Sequence, residues 1–184
     1  LAQLAQLRLT HDVAPVSCTG GHEAARQRLE RFMTDGLDRY ADERNHPDSD
    51  AASGLSPYLH WGHLGAHEVF ERLAARERWS PARLSVEVTA RREGWWGMSP
   101  TAEAFLDEFV TWREIGFNFA VEHPDDFDAW QQLPAWAIQT LEEHADDPRE
   151  HLYTFDELDE AHTGDRIWNA AQRQLRRDGI IHNY

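Results

Sequence analysis

Apolar residues in this chain recur at helical spacing, and no stretch of useful length alternates apolar with polar. That single property restricts the fold to packed helices, because a sheet needs period-two segments to bury one face. Leu29, Phe32, Met33, Leu37 and Tyr40 form one stripe and predict a helix over 22–44. Helix start signals then recur. Ser56-Pro57, Ser80-Pro81 and Ser99-Pro100 each read as an N-cap followed by proline at the first helical position. The third opens a helix through Phe105, Leu106, Phe109, Val110 and Trp112, and another helix starts near Pro134. Thr154 and Glu157 have the spacing of a capping box, and a last helix carries Ile167, Trp168, Ala171 and Leu175 before Gly179 stops it. The expected fold class is all-α.

Composition adds three limits. The eight Trp predict a Trp-rich core, with redox or base-stacking roles open for individual indoles. The formal net charge is −15 and every basic residue other than histidine is Arg, which argues against nucleic-acid binding unless basic groups are gathered locally. The lone Cys18 excludes an internal disulfide and fits a reducing cytosol. No apolar run approaches membrane-spanning length and no secretory leader pattern is present, so a cytoplasmic location is expected. The first residue is Leu1 rather than Met, so the chain is expected to be part of a longer one.

Four segments carry candidate chemistry. In Ser53-Gly54-Leu55-Ser56-Pro57 a glycine turn feeds a helix start, where backbone N–H groups suit a phosphate; an ordinary capped helix has the same wording. Glu108 and Trp112 are four apart and share one helix face, so a carboxylate and an indole are offered together to a flat, hydrogen-bonding ligand, with Arg113 alongside for a phosphate. A half-buried indole next to a surface Arg–Glu pair reads the same way. His60, His63 and His67 would line one face of a continuous helix, but no fourth ligand joins them and no metal site is assigned. Trp168-Asn169-Ala-Ala-Gln172 reads as core packing with polar edges, followed by His182-Asn183-Tyr184.

As a set these segments resemble the DNA photolyase and cryptochrome family. Gly54-Leu-Ser-Pro-Tyr-Leu-His-Trp-Gly62 is similar to its flavin-phosphate loop, with Trp61 where the family often has Phe. Tyr40 to Asn45 resembles the tyrosine–arginine segment that precedes that loop, and Glu108 to Glu114 the helix that meets both flavin and lesion. Trp168 to Gln172, Gly179 and His182 to Tyr184 resemble the late core of the domain. The spacing of Glu108 to Trp112 and the wording around Trp168 are closest to class II enzymes, which act on cyclobutane pyrimidine dimers.

The resemblance implies a helical FAD-binding domain of photolyase type over 21–184, incomplete at its C-terminus and lacking the N-terminal α/β antenna domain, with 1–20 as linker or the end of the interdomain connection. It implies FAD as cofactor, active in its reduced form, and dimer-containing DNA as substrate. The antenna pigment is left open. A monomer in a bacterial or archaeal cytoplasm, associated with the nucleoid, is expected. Tyr40, Ser53, Gly54, Leu55, Ser56, Arg113 and Asn169 would bind the cofactor. Glu108, Trp112 and Tyr184 would meet the lesion, with Glu108, Trp112 and Trp168 in the catalytic set and Trp168 in an electron-carrying Trp chain. The rival reading is a cryptochrome-like photoreceptor using the same flavin site. A third is an acidic helical binding module without flavin.

Overall fold

The computed structural model describes residues 6–8, 14–89 and 91–181. His182, Asn183 and Tyr184 lie outside the described residues. Among those described the regular elements are all helical: α1 (His22–Arg31), α2 (Leu37–Glu43), α3 (Ser56–His60), α4 (Ala66–Arg76), α5 (Pro100–Leu106), α6 (Arg113–Glu122), α7 (Ala135–Glu143), α8 (Phe155–Asp159) and α9 (Arg166–Asp178), with short 3₁₀ turns between some of them. The all-α expectation holds.

The stripe read from the sequence is the core. Ala25 and Leu29 of α1, Phe32 and Met33, Leu37 and Tyr40 of α2, Val69 and Leu73 of α4, and Ala102, Phe105 and Leu106 of α5 pack as one buried cluster. Phe32, Tyr40 and Phe105 form its aromatic centre, with ring centroids 4.9–5.7 Å apart. The helix expected over 22–44 runs from 22 to 43, but it passes through a π-helical turn at Phe32–Gly36. A second π turn, Asp107–Trp112, joins α5 to α6. Such single wide turns inside α-helices insert one extra residue and often accompany functional positions.

The start signals divide in outcome. Ser99 caps α5, its Oγ accepting from the Ala102 N–H at 3.3 Å. Thr154 and Glu157 close the expected capping box on α8. Gly179 ends α9 in the left-handed conformation at φ 70°. Ser80-Pro81 opens only a 3₁₀ turn, Pro81–Arg83. Ser56 is not an N-cap but the first helical residue; Leu55 takes the cap position, and its buried side chain anchors α3 in the core.

The Trp-rich core is not found. Trp79 and Trp96 pack around Phe70 at the core's edge, with the Trp79 Nε1–H donating to the Trp96 carbonyl at 2.7 Å. Trp61, Trp112, Trp130, Trp136 and Trp168 are exposed. Most of them belong to the chain after residue 111, where α6 and α7 bury no residue.

Candidate functional site

The π turn at 107–112 organises the site. Its wider winding brings positions four and five apart to the same side. The Trp112 indole Nε1–H therefore donates to Asp107 Oδ2, at 3.3 Å, across five residues. Asp107 is 8% exposed, whereas Trp112 is 50% exposed. Helical spacing had paired Trp112 with Glu108; the hydrogen bond goes to Asp107 instead. Glu108 accepts from Arg44 Nη2 at 3.4 Å. The Arg44 guanidinium also lies over the Tyr40 ring, 5.2 Å from its centroid. Tyr40, Arg44 and Glu108 thus form one contact chain from core to surface, and Asp107 and Trp112 a second beside it.

Arg92, from the loop before α5, completes the second chain. Its Nε lies 3.9 Å from Asp107 Oδ2, and its guanidinium carbon is 5.9 Å from the Trp112 ring centroid. That loop is held by Glu103, a buried carboxylate on α5 that accepts the N–H of Gly94 and, at 3.1 Å, that of Met98. Arg113 does not join either chain. Its guanidinium pairs with Glu114 at 2.5 Å and covers the Phe117 ring at 4.6 Å.

Burial sets the electrostatics of Tyr40. It pushes the phenol up to about 12; Arg44 pulls the other way, and the Glu108 and Asp107 carboxylates reinforce the rise. The hydroxyl stays neutral at physiological pH.

The loop 50–56 forms a second locus. Arg28 of α1 reaches across to it, donating from Nε to the Ser53 carbonyl at 2.8 Å and from Nη2 to the Ala52 carbonyl at 2.9 Å. Gly54 follows with φ +64°, and a Cβ there would meet the Arg28 guanidinium at 2.5 Å. Only glycine both takes that backbone conformation cheaply and leaves room for Arg28. With two carbonyls turned to Arg28, the exposed Gly54 and Ser56 stand at the start of α3. Within the loop the Leu55 N–H donates to Ser53 Oγ at 3.4 Å, so a phosphate here would be met by the exposed backbone of Gly54 and Ser56. The five-residue α3 adds only a short dipole, and Pro57 supplies no N–H.

The third group sits on α9. Trp168 is 46% exposed, and its Nε1–H donates to the Leu158 carbonyl at 3.2 Å. Asn169 is buried and tied to Thr163: its Oδ1 accepts from the Thr163 N–H at 3.0 Å and its Nδ2 donates to the Thr163 carbonyl at 2.7 Å. It folds the 161–165 turn onto α9. The three histidines of the 60–67 run share no helix face. His60 ends α3, His67 lies in α4, and His63 between them accepts the Gly21 N–H at 3.1 Å.

Sequence reasoning missed Asp107, Arg92 and Arg28. Asp107 was adjacent to a chosen residue, but the π turn that aims it leaves no local mark. Arg28 acts on a loop 25 residues away.

The helical arrangement defines the class first: it is the helical region of a photolyase-type fold. It superposes on the crystal structure of a bacterial class III photolyase from Agrobacterium tumefaciens with a TM-score of 0.61 and 23% identity, over 91% of this chain and 29% of that one. Sequence relatives then supply the family. A deoxyribodipyrimidine photo-lyase of Oryza sativa subsp. japonica is 36% identical over 173 residues, 91% of this chain and 30% of that protein. One from Methanothermobacter thermautotrophicus is 32% identical over 177 residues, 96% of this chain and 34% of that protein. One from Potorous tridactylus is 31% identical over 156 residues, 85% of this chain and 26% of that protein. No family model matches. The chain belongs to the photolyase family and spans about a third of the length of the curated relatives it matches.

Proposed function

We propose that this chain is part of a deoxyribodipyrimidine photo-lyase that repairs cyclobutane pyrimidine dimers by light-driven electron transfer from reduced FAD. The names of the relatives support photolyase activity. The observation that carries the dimer-repair reading is the π turn, which carries the exposed Glu108 carboxylate and the half-exposed Trp112 indole four residues apart. A receptor that never grips a lesion has no use for that pair. The four-residue separation of Glu108 and Trp112 supports a class II enzyme.

In this reading the 53–56 loop, with Gly54 and Ser56 exposed, holds the cofactor's phosphates, and Tyr40 backs that side of the pocket from the core. Bound reduced FAD supplies the photoexcited electron. Trp112 stacks on the flipped-out pyrimidine, since an enzyme acting on bases removes them from the helix stack. Glu108 hydrogen-bonds the base edge and stabilises developing charge, with Arg44 holding its carboxylate in place. Trp168, half-exposed on α9, carries electrons inward from the surface. DNA containing pyrimidine dimers is the partner. Among the described residues no helix is long and apolar enough to cross a membrane.

The test uses the protein at the full length its gene encodes. Flavin absorption that bleaches to the reduced form under blue light, followed by loss of dimers from an irradiated oligonucleotide, is the expected result. Flavin without repair would turn the reading to a cryptochrome-like photoreceptor. No flavin under any condition would end both.

A further inference from the structure

Trp112 is an aromatic platform whose edge and flank are both occupied by charged groups, and neither group is explained by packing alone. Asp107 is a nearly buried carboxylate that accepts the indole N–H at 3.3 Å. Arg92 approaches that same carboxylate oxygen at 3.9 Å and lies 5.9 Å from the indole centroid, while its own side chain is 73% exposed. The loop bearing Arg92 is fixed two residues later by the Gly94 N–H donating to buried Glu103. The indole keeps half its surface open.

We propose that Asp107 and Arg92 are positioning residues that brace Trp112, so that its open face is presented to a base at a set angle; the base is the stacked pyrimidine of the reading above, on which this inference rests. The reasoning is geometric. A surface indole with no partner at Nε1 samples several χ2 orientations, and each immobilised side chain costs binding free energy that a pre-ordered one has already lost. The hydrogen bond to Asp107 fixes the ring edge. Hydrogen bonds to charged groups are the stronger kind, and Arg92 keeps the buried carboxylate partnered. The π turn makes the brace possible, because on an α-helix a residue five back faces away.

The experiment labels the full-length protein with 5-fluorotryptophan and assigns the Trp112 signal by Trp112→Phe. Asp107→Ala is expected to shift or broaden that signal and to weaken binding of a dimer-containing oligonucleotide by about tenfold, the scale of a charged hydrogen bond. Asp107→Asn, whose amide oxygen still accepts the indole N–H, retains most of the affinity. Arg92→Ala costs less, about threefold, as befits an exposed contact. In a Trp112→Ala background neither change lowers affinity further, because a brace acts only through what it braces. Should Asp107→Ala fold poorly, Arg92→Ala carries the same comparison, with Asp107→Asn as the control that keeps the acceptor. An unmoved Trp112 signal in Asp107→Ala and in Arg92→Ala overturns the proposal, as does a loss fully additive with Trp112→Ala. Failure of the unaltered protein to bind the oligonucleotide would sink the repair reading, and the fluorine signal then decides the brace alone.

Discussion

Tyr40 joins the packing of the core to the chemistry of the surface. Its ring is clasped edge-on by Phe32 and Phe105, and Arg44 lies over it. Burial raises its hydroxyl to about 12, while an unfolded tyrosine titrates near 10. Below pH 10 both states keep the proton and pH has no effect. As pH rises from 10 to 12 the unfolded chain ionises first, so stability is lost across that window, by up to about 3 kcal/mol once both have passed. Tyr40→Phe removes this component and leaves the contribution of Tyr58, which is also raised, through its hydrogen bond with Cys18 and through burial. Denaturant titrations at pH 9 and pH 11.5 should show a smaller pH loss in the variant; equal losses would refute the assignment. The apolar stripe placed Tyr40 in the core from sequence alone, because helical period is a local property. Asp107 was not legible: its importance depends on a π turn that no residue of the segment announces. Arg28 was invisible for a related reason, since its acceptors are carbonyls that any sequence supplies.

Elements were legible where their boundaries are written in side chains that act on their own backbone. Ser99, Thr154 and Gly179 did as their residue types require. Ser56 did not, because burial of Leu55 moved the helix start, and tertiary packing overrode a preference worth only about 1 kcal/mol. The helix α9 shows the opposite limit. It leans mainly on α8, its Ile167 and Trp168 faces are exposed, and its ends are secured by Asp165 and Gly179. Asp165 Oδ1 accepts the N–H groups of Ile167 at 2.8 Å and Trp168 at 3.1 Å. With so little packing behind it, the cap should matter more than usual. Asp165→Ala is expected to cost about 1 kcal/mol locally. It should also free the Trp168 backbone, read as fraying of the first turn of α9 by amide exchange, while exchange in α5 is unchanged. An unaltered first turn would show that packing on α8 suffices.

At the scale of the whole chain, stability is unevenly distributed. Residues 22–112 enclose a continuous core, and ion pairs between helices, Arg26–Glu68, Arg72–Glu30 and Arg76–Asp38, decorate its surface. Such exposed pairs add little each, so apolar burial carries that half. After Trp112 the balance reverses. Ile115, Phe117 and Val121 of α6, Trp136 and Leu141 of α7, and Phe155 of α8 are all exposed. A helix in water without a buried face is marginal at the length of ten residues, so α6 and α7 have little to hold them in this chain. Hydrogen exchange on the 184-residue chain should therefore resolve two populations. Amides in α2 and α5, which pack on each other, are expected to be protected at least about 100-fold more than those of α6 and α7, since local opening costs far less where few apolar contacts must be broken. The same apolar faces should bind a hydrophobic dye, and dye binding should fall when the protein is examined at the length of its relatives, if further polypeptide covers them. Uniform protection across both halves would contradict this division and would mean that α6 to α9 gain their order from propensity and capping alone, a larger contribution than such local terms ordinarily make.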